Sequence, residues 1–193
     1  MQISNVNVYG LENAIRVSKF PMAVNVEECT EEITKTTVKL GTCKSGEGHD
    51  NYLKGINVQF DMKFSNKMSV ELERYHFIDF ISSQSTMHRI TKFAFKDQCN
   101  EYVDQRIINI VQEMIDVYNG LEDKGTEFAI ELYLAILYNV PSGFELTAGF
   151  TTNYQQLKTM YYQRRYYRLP EWRAFCRWVE ELPMFRELVL GGK

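Results

Sequence analysis

Residues 55–64, GINVQFDMKF, constrain the fold more than any other stretch of this chain. Ile56, Val58, Phe60, Met62 and Phe64 alternate with the polar residues Asn57, Gln59, Asp61 and Lys63. A period of two sends the apolar set to one face of a β-strand and the polar set to the other. Further along, the period changes. From 96 to 121 the apolar residues Val103, Ile107, Ile110, Val111, Met114, Ile115 and Val117 recur at helical spacing, and Asp123 leads into a second helix ending near Tyr138. Both read as core helices. Strands and helices together, without internal repeats, predict one α+β domain over residues 1–193.

The other elements follow from local signals. Residues 2–8 alternate well enough for a first strand, and 11–19 read as a short helix stopped by Phe20-Pro21. The segment 24–40 is rich in Val, Ile and Thr and predicts one or two strands. Residues 41–51, with Gly46 and Gly48, form a loop that delivers His49. Ser65 is placed to cap a helix running to about Phe80. Pro141-Ser142-Gly143 turns into a short strand, FELTAGFTT. Asn153 then opens a helix over NYQQLKTMYYQRRYYR, Leu169-Pro170 breaks it, and 171–182 form a last helix.

Composition mainly excludes. With 193 residues, 45% hydrophobic and 24% charged, the chain is ordinary for a globular protein, and a net charge of -3 gives no overall attraction to nucleic acid or acidic lipid. Anion binding must then be local. Cys29, Cys43, Cys99 and Cys176 include no C-x-x-C pair, so no metal site is expected and a reducing cytoplasm is the simplest compartment. No signal-peptide layout and no apolar run near eighteen residues occurs, which predicts a chain without a membrane span. Phosphate loops, zinc spacings and nucleophile elbows are absent from the sequence.

The densest chemistry lies in 65–89, SNKMSVELERYHFIDFISSQSTMHR. Arg74, His76, Asp79, Ser82, Ser83, Gln84, Ser85, His88 and Arg89 are interleaved with Met68, Leu72, Phe77, Ile78 and Ile81. Such a mixture can hold an anion or a planar heterocycle above an apolar base, and it can equally be a half-buried helix entering a polar loop. The run MYYQRRYYRLPEWRAFCR, with Arg164, Arg165, Arg168, Arg173 and Arg177, is either a solvated helical face or an anion-binding wall.

Three stretches together resemble the flavin-dependent thymidylate synthases. GHDNYLKGI, residues 48–56, resembles that family's G-H-[ED]-[ST]-x-x-E-H-[IV]. LERYHFIDFISSQSTMHR resembles a worn form of its R-H-R-x-x-S signature. VPSGFELTAGFTTNYQQLKTMYYQRRYYRLPEWR, residues 140–173, resembles its later N-x-R-S-L…R stretch. The resemblance implies an α+β domain with a mixed sheet and long helices. It also implies a homotetramer with sites at subunit interfaces, and methylation of a pyrimidine deoxynucleotide, dUMP to dTMP. The carbon would come from methylenetetrahydrofolate and the hydride from FAD reduced by NADPH.

Carried over by position, the resemblance makes Arg164 and His49 the catalytic candidates. Arg164 would face the uracil and also bind substrate, and His49 would lie beside the flavin ring. Asn51, Arg74, His76 and Asn153 match FAD-binding positions. Ser85 matches a serine near the nucleotide phosphate, and Arg89 matches the next arginine once two residues are inserted. Glu71 stands where the family usually has a glutamine. A carboxylate there would accept from a cytosine amino group, which makes a dCMP-type substrate an alternative to dUMP.

Departures accompany the matches. Tyr75 replaces the signature's middle histidine and His76 its last arginine, Lys54 replaces an acid, and Gln155 an arginine. Charged hydrogen bonds contribute about 1.5 to 3 kcal/mol each, so an unchanged FAD and dUMP site would be much weakened. Two rival expectations follow. One is a catalytically inactive relative that binds a nucleotide without turnover, and the other is an assembly protein with no small ligand. A worn signature in a small enzyme of nucleotide metabolism would also suit a phage protein.

Overall fold

Four strands form a sheet in the order β1-β2-β4-β3, with β1 at Gln2–Tyr9, β2 at Asn57–Ser65, β3 at Asp79–Ser83 and β4 at Glu145–Asn153. The structure, a computed structural model, describes residues 1–192, so Lys193, the last residue of the expected domain, lies outside the described residues. The pairing is antiparallel throughout, where a mixed sheet was implied. The register shows it: Asn5 meets Asp61 while Gly10 closes on Gly55, and the backbone N–H of Tyr154 donates to Ile56 while that of Asn66 donates to Phe144. The α+β class stands as expected.

The helices are α1 (Leu11–Val17), α2 (Lys35–Gly41), α3 (Asn66–Leu72), α4 (Thr86–Arg89), α5 (Gln105–Gly120), α6 (Glu127–Tyr138), α7 (Tyr154–Arg164) and α8 (Pro170–Glu180). The chain divides into two compact units. The first comprises residues 1–2, 63–74 and 82–148. Its core gathers Ile90, Phe95, Ile108, Val111, Ile115, Ile136 and Phe144. The second comprises, among the described residues, 3–62, 75–81 and 149–192. Its core is aromatic, with Phe60 stacked 5.5 Å from Phe150 and 4.6 Å from Trp178, and Trp172 set edge-on to Phe175.

Alternation in β2 translates directly into burial. Val58, Phe60, Met62 and Phe64 are all at most 4% exposed. The expected turn at 141–143, the strand after it and the Asn153 cap are all present, whereas the helix expected to run to Arg168 ends at Arg164 and Pro170 opens α8.

Three expectations change. Residues 24–40 form no strand: Val26–Glu28 is a 3-10 turn capped by Asn25, and Thr34 and Thr37 build a reciprocal capping box at the start of α2. The β-branched threonines that suggested a strand are spent on that cap. The helix from Ser65 ends at Leu72, well short of Phe80, because residues from Phe77 onward pair with β4. Thr152 Oγ1 donates to the Phe77 carbonyl (2.7 Å), and Gln84 donates its N–H to Thr147 (2.9 Å). Finally, α5 starts at Gln105 rather than 96, where Asp104 accepts from Arg106 N–H at 2.8 Å. Ile107, Ile110 and Val117 of α5 and Phe128, Ile130, Leu134 and Tyr138 of α6 are exposed, so neither helix is wholly a core helix.

Candidate functional site

The second unit contains a cavity of about 480 Å³, inside the range of small-molecule sites, at the N-terminus of α7. Four stretches of chain build it. The 42–50 loop gives Ser45, Gly46, Gly48 and Asp50, and the 3-10 turn Asn51–Gly55 gives Asn51 and Lys54. Phe77 adds an aromatic ring, and the cap and first turns of α7 supply Asn153, Gln155, Gln156 and Thr159. The glycines have a local reason. Gly46 and Gly48 sit at φ 95° and 78°, where a side chain would be strained.

Asn153 is placed by the helix it starts, its Oδ1 accepting the backbone N–H of Gln156 at 3.0 Å. Gln155 Nε2 donates to Asp50 Oδ1 (2.9 Å) and reaches Asn51 Oδ1 at 3.4 Å. Asp50 Oδ2 accepts from Lys158 Nζ at 2.6 Å, in an ion pair whose side chains are 1% and 3% exposed. Beside it, burial and then the Asp50 carboxylate push the Tyr52 phenol far above its usual range, and its hydroxyl donates to the Thr37 carbonyl.

Four amide side chains, a largely exposed Phe77 ring and one lysine make a lining suited to a planar heterocycle. Among the lining residues Lys54 is the only cation, so the cavity fits the ring end of a flavin nucleotide better than its diphosphate.

Of the residues expected from the sequence, Asn51 and Asn153 line this cavity together. His49 is exposed in the chain between Gly48 and Asp50, and His76 is exposed next to Phe77. Arg164 belongs to the same unit but not to the lining. It is 6% exposed at the far end of α7, with its guanidinium 4.4 Å from the Tyr167 ring, 4.7 Å from Trp172 and 5.5 Å from Tyr75. Its Nε donates to the Tyr75 hydroxyl (2.7 Å), which donates to Gln163. Glu71, Arg74, Ser85 and Arg89 are in the first unit. There Glu71 is buried and pairs with Lys67 at 3.7 Å, Arg74 and Arg89 are exposed, and Ser85 precedes α4.

The fold is similar to that of two solved structures of the flavin-dependent thymidylate synthase ThyX from Helicobacter pylori, each complexed with FAD and dUMP. One shares 15% sequence identity with a TM-score of 0.67, the other 13% with 0.71, and both matches cover 97% of this chain and 96% of that one. This chain has the flavin-dependent thymidylate synthase fold. No protein-family model matches it, and no curated protein matches it in sequence. The thymidylate synthase fold is thus carried here by a sequence far from those two. Among its described residues no helix is long and apolar enough to cross a membrane.

Sequence reasoning missed Asp50 and Lys158 as site residues. One signal was present: Lys158 follows Tyr154 by four positions and precedes Tyr161 by three, which puts a charge on the buried stripe of α7.

Proposed function

We propose that this chain is a flavin-dependent enzyme that methylates a pyrimidine deoxynucleotide, dUMP to dTMP, in the cytoplasm, with FAD seated at the N-terminus of α7. One observation carries the reading. Asn51 and Asn153, about a hundred residues apart and both matched to FAD-binding positions, line a single cavity with the amides and aromatic ring a flavin needs. Bound reduced flavin would supply the hydride, with NADPH as its reductant and methylenetetrahydrofolate as the carbon donor. The chain's own residues bind and orient. The Asn51, Asn153 and Gln156 amides would hydrogen-bond a bound flavin, the Phe77 ring would pack against it, and Lys54 would pair with an anionic group. His49, between the lining residues Gly48 and Asp50, and His76, next to Phe77 in the chain, are the proposed further contacts of the flavin, with Arg74. Glu71, Ser85, Arg89 and Arg164 are the proposed substrate contacts.

Assembly as a homotetramer with sites at subunit interfaces belongs to the same reading. The exposed apolar residues of α6 support it, since a helix apolar on most sides asks for cover. Light scattering tests it directly.

The test of function is the visible spectrum of the protein expressed with ample riboflavin, repeated after FAD is added and the excess removed. A retained flavin band is expected, lost in Asn153→Ala, together with dTMP formation from dUMP in a folate- and NADPH-dependent assay. Absence of any flavin band in a folded protein would overturn the reading.

A second reading, nucleotide or flavin binding without turnover, is favoured by the enclosure of Arg164 among Tyr75, Tyr167 and Trp172. It expects the flavin band without dTMP. The dCMP alternative expects methylation of dCMP in preference to dUMP.

A further inference from the structure

Lys158 does not line the cavity, yet it holds one lining residue, Asp50, and the chain that leads into the glycine-bearing rim. Its side chain is 1% exposed, on a stripe of α7 shared with Tyr154, Leu157 and Tyr161. Lysine ordinarily keeps its charged end in water. Here the ammonium's three N–H groups meet three acceptors: the Gly41 carbonyl at 2.8 Å, the Cys43 carbonyl at 2.6 Å and Asp50 Oδ2 at 2.6 Å. Gly41 ends α2, where a cation also meets the negative end of a helix. Cys43 and Asp50 bracket the segment that sets Ser45, Gly46 and Gly48 into the cavity wall. Asp50, the only carboxylate among the lining residues, is fixed through both oxygens, one by Lys158 and one by Gln155.

We propose that Lys158 is the positioning residue of this cavity, one buried ammonium holding both its glycine-bearing rim and the single carboxylate of its wall, so that the site is shaped before a ligand arrives. The inference rests on reading the cavity as a flavin site, but its claim about the rim stands on the three contacts. The geometry demands a point charge. A guanidinium is a planar fork and cannot direct donors to three acceptors converging on one atom. Preorganisation of this kind improves binding by lowering the ordering cost on association.

Three variants test it: Lys158→Met, Lys158→Arg, and the double variant Lys158→Met with Asp50→Asn, in which neither charge is left buried and unpaired. Two readouts are taken, hydrogen exchange and FAD binding by fluorescence titration. The amides of Thr42 and Cys43 donate to Val38 and Leu40 at the end of α2, that of Glu47 to Lys44 and that of Leu53 to Asp50, so their protection reports the rim and its two anchors. In all three variants these amides are expected to exchange about tenfold faster while those of β2 and β4 keep their rates. The FAD dissociation constant is expected to rise about tenfold. The double variant should regain wild-type melting temperature without regaining either readout. That separates positioning from a merely structural ion pair, for which both readouts would return with stability. Should Lys158→Met fail to fold, the double variant carries the comparison alone. Unchanged rim exchange, or FAD binding within about twofold of wild type in the double variant, would overturn the proposal. If the wild-type protein takes up no FAD, the flavin reading of the cavity fails, and rim exchange alone decides the role of Lys158.

Discussion

Burial governs the chemistry of Cys176. It is 2% exposed on α8, and burial, with Glu180 adding to it against three nearby arginines, pushes its thiol up to about 12 from an ordinary value of 9.0. The native chain therefore holds a proton that the unfolded chain has released above about pH 9, so the stability this thiol contributes is complete below that pH and is lost as pH rises towards 12. Denaturant melts at a series of alkaline pH values should show stability falling across that window, and the fall should be shallower in Cys176→Ala. An equal slope in the variant would assign the effect to the buried tyrosines Tyr52 and Tyr154, whose phenols are raised as well. At this scale the sequence was partly legible. Asn51 and Asn153, which share the cavity lining, were singled out through local motifs. The enclosure of Arg164 was not, because its partner Tyr75 is 89 positions away and nothing local couples the two. Lys158 left only its misplaced charge on an apolar stripe as a sign.

Among the elements, α2 shows where pattern and physics part. A run of Val, Ile and Thr has high β propensity, but propensity is weak beside a capping box and a buried helix face. Thr37 and Gly41, four apart, are the buried positions of that face. Gly41 has no room for a side chain, since a Cβ there would collide with the Leu188 carbonyl and the Tyr52 hydroxyl. Gly41→Ala is therefore expected to cost about 1 to 3 kcal/mol through backbone displacement, more than Thr34→Ala, which loses one cap worth about 1 kcal/mol. At roughly 2–4 °C per kcal/mol for a chain of this size, differential scanning fluorimetry orders the two. A smaller drop for Gly41→Ala would mean that the C-terminal segment yields at little cost. By contrast, β2, β4 and α7 were legible because their signals are strong and local: strict alternation, a Pro-Ser-Gly turn, and an asparagine cap at Asn153. The early end of α3 was hidden, since pairing with β4 is a long-range competitor for backbone groups.

At the scale of the whole molecule, the two compact units raise the question of how many cooperative blocks the chain contains. Strands β2, β3 and β4 each contribute residues to both units, at 62/63, 81/82 and 148/149. A block melting by itself would have to interrupt three regular strands in mid-run. We propose that the residues 1–193 unfold as one domain, as the sequence leads one to expect. The chain offers its own probes. Both tryptophans, Trp172 and Trp178, belong to the second unit, whereas helices of both units contribute to far-ultraviolet circular dichroism. In urea, tryptophan fluorescence and circular dichroism should then follow coincident transitions, at any protein concentration. A circular-dichroism step that fluorescence does not see would instead assign α5 and α6 to a block that melts by itself. The one-domain expectation would then fail even though each unit keeps its fold.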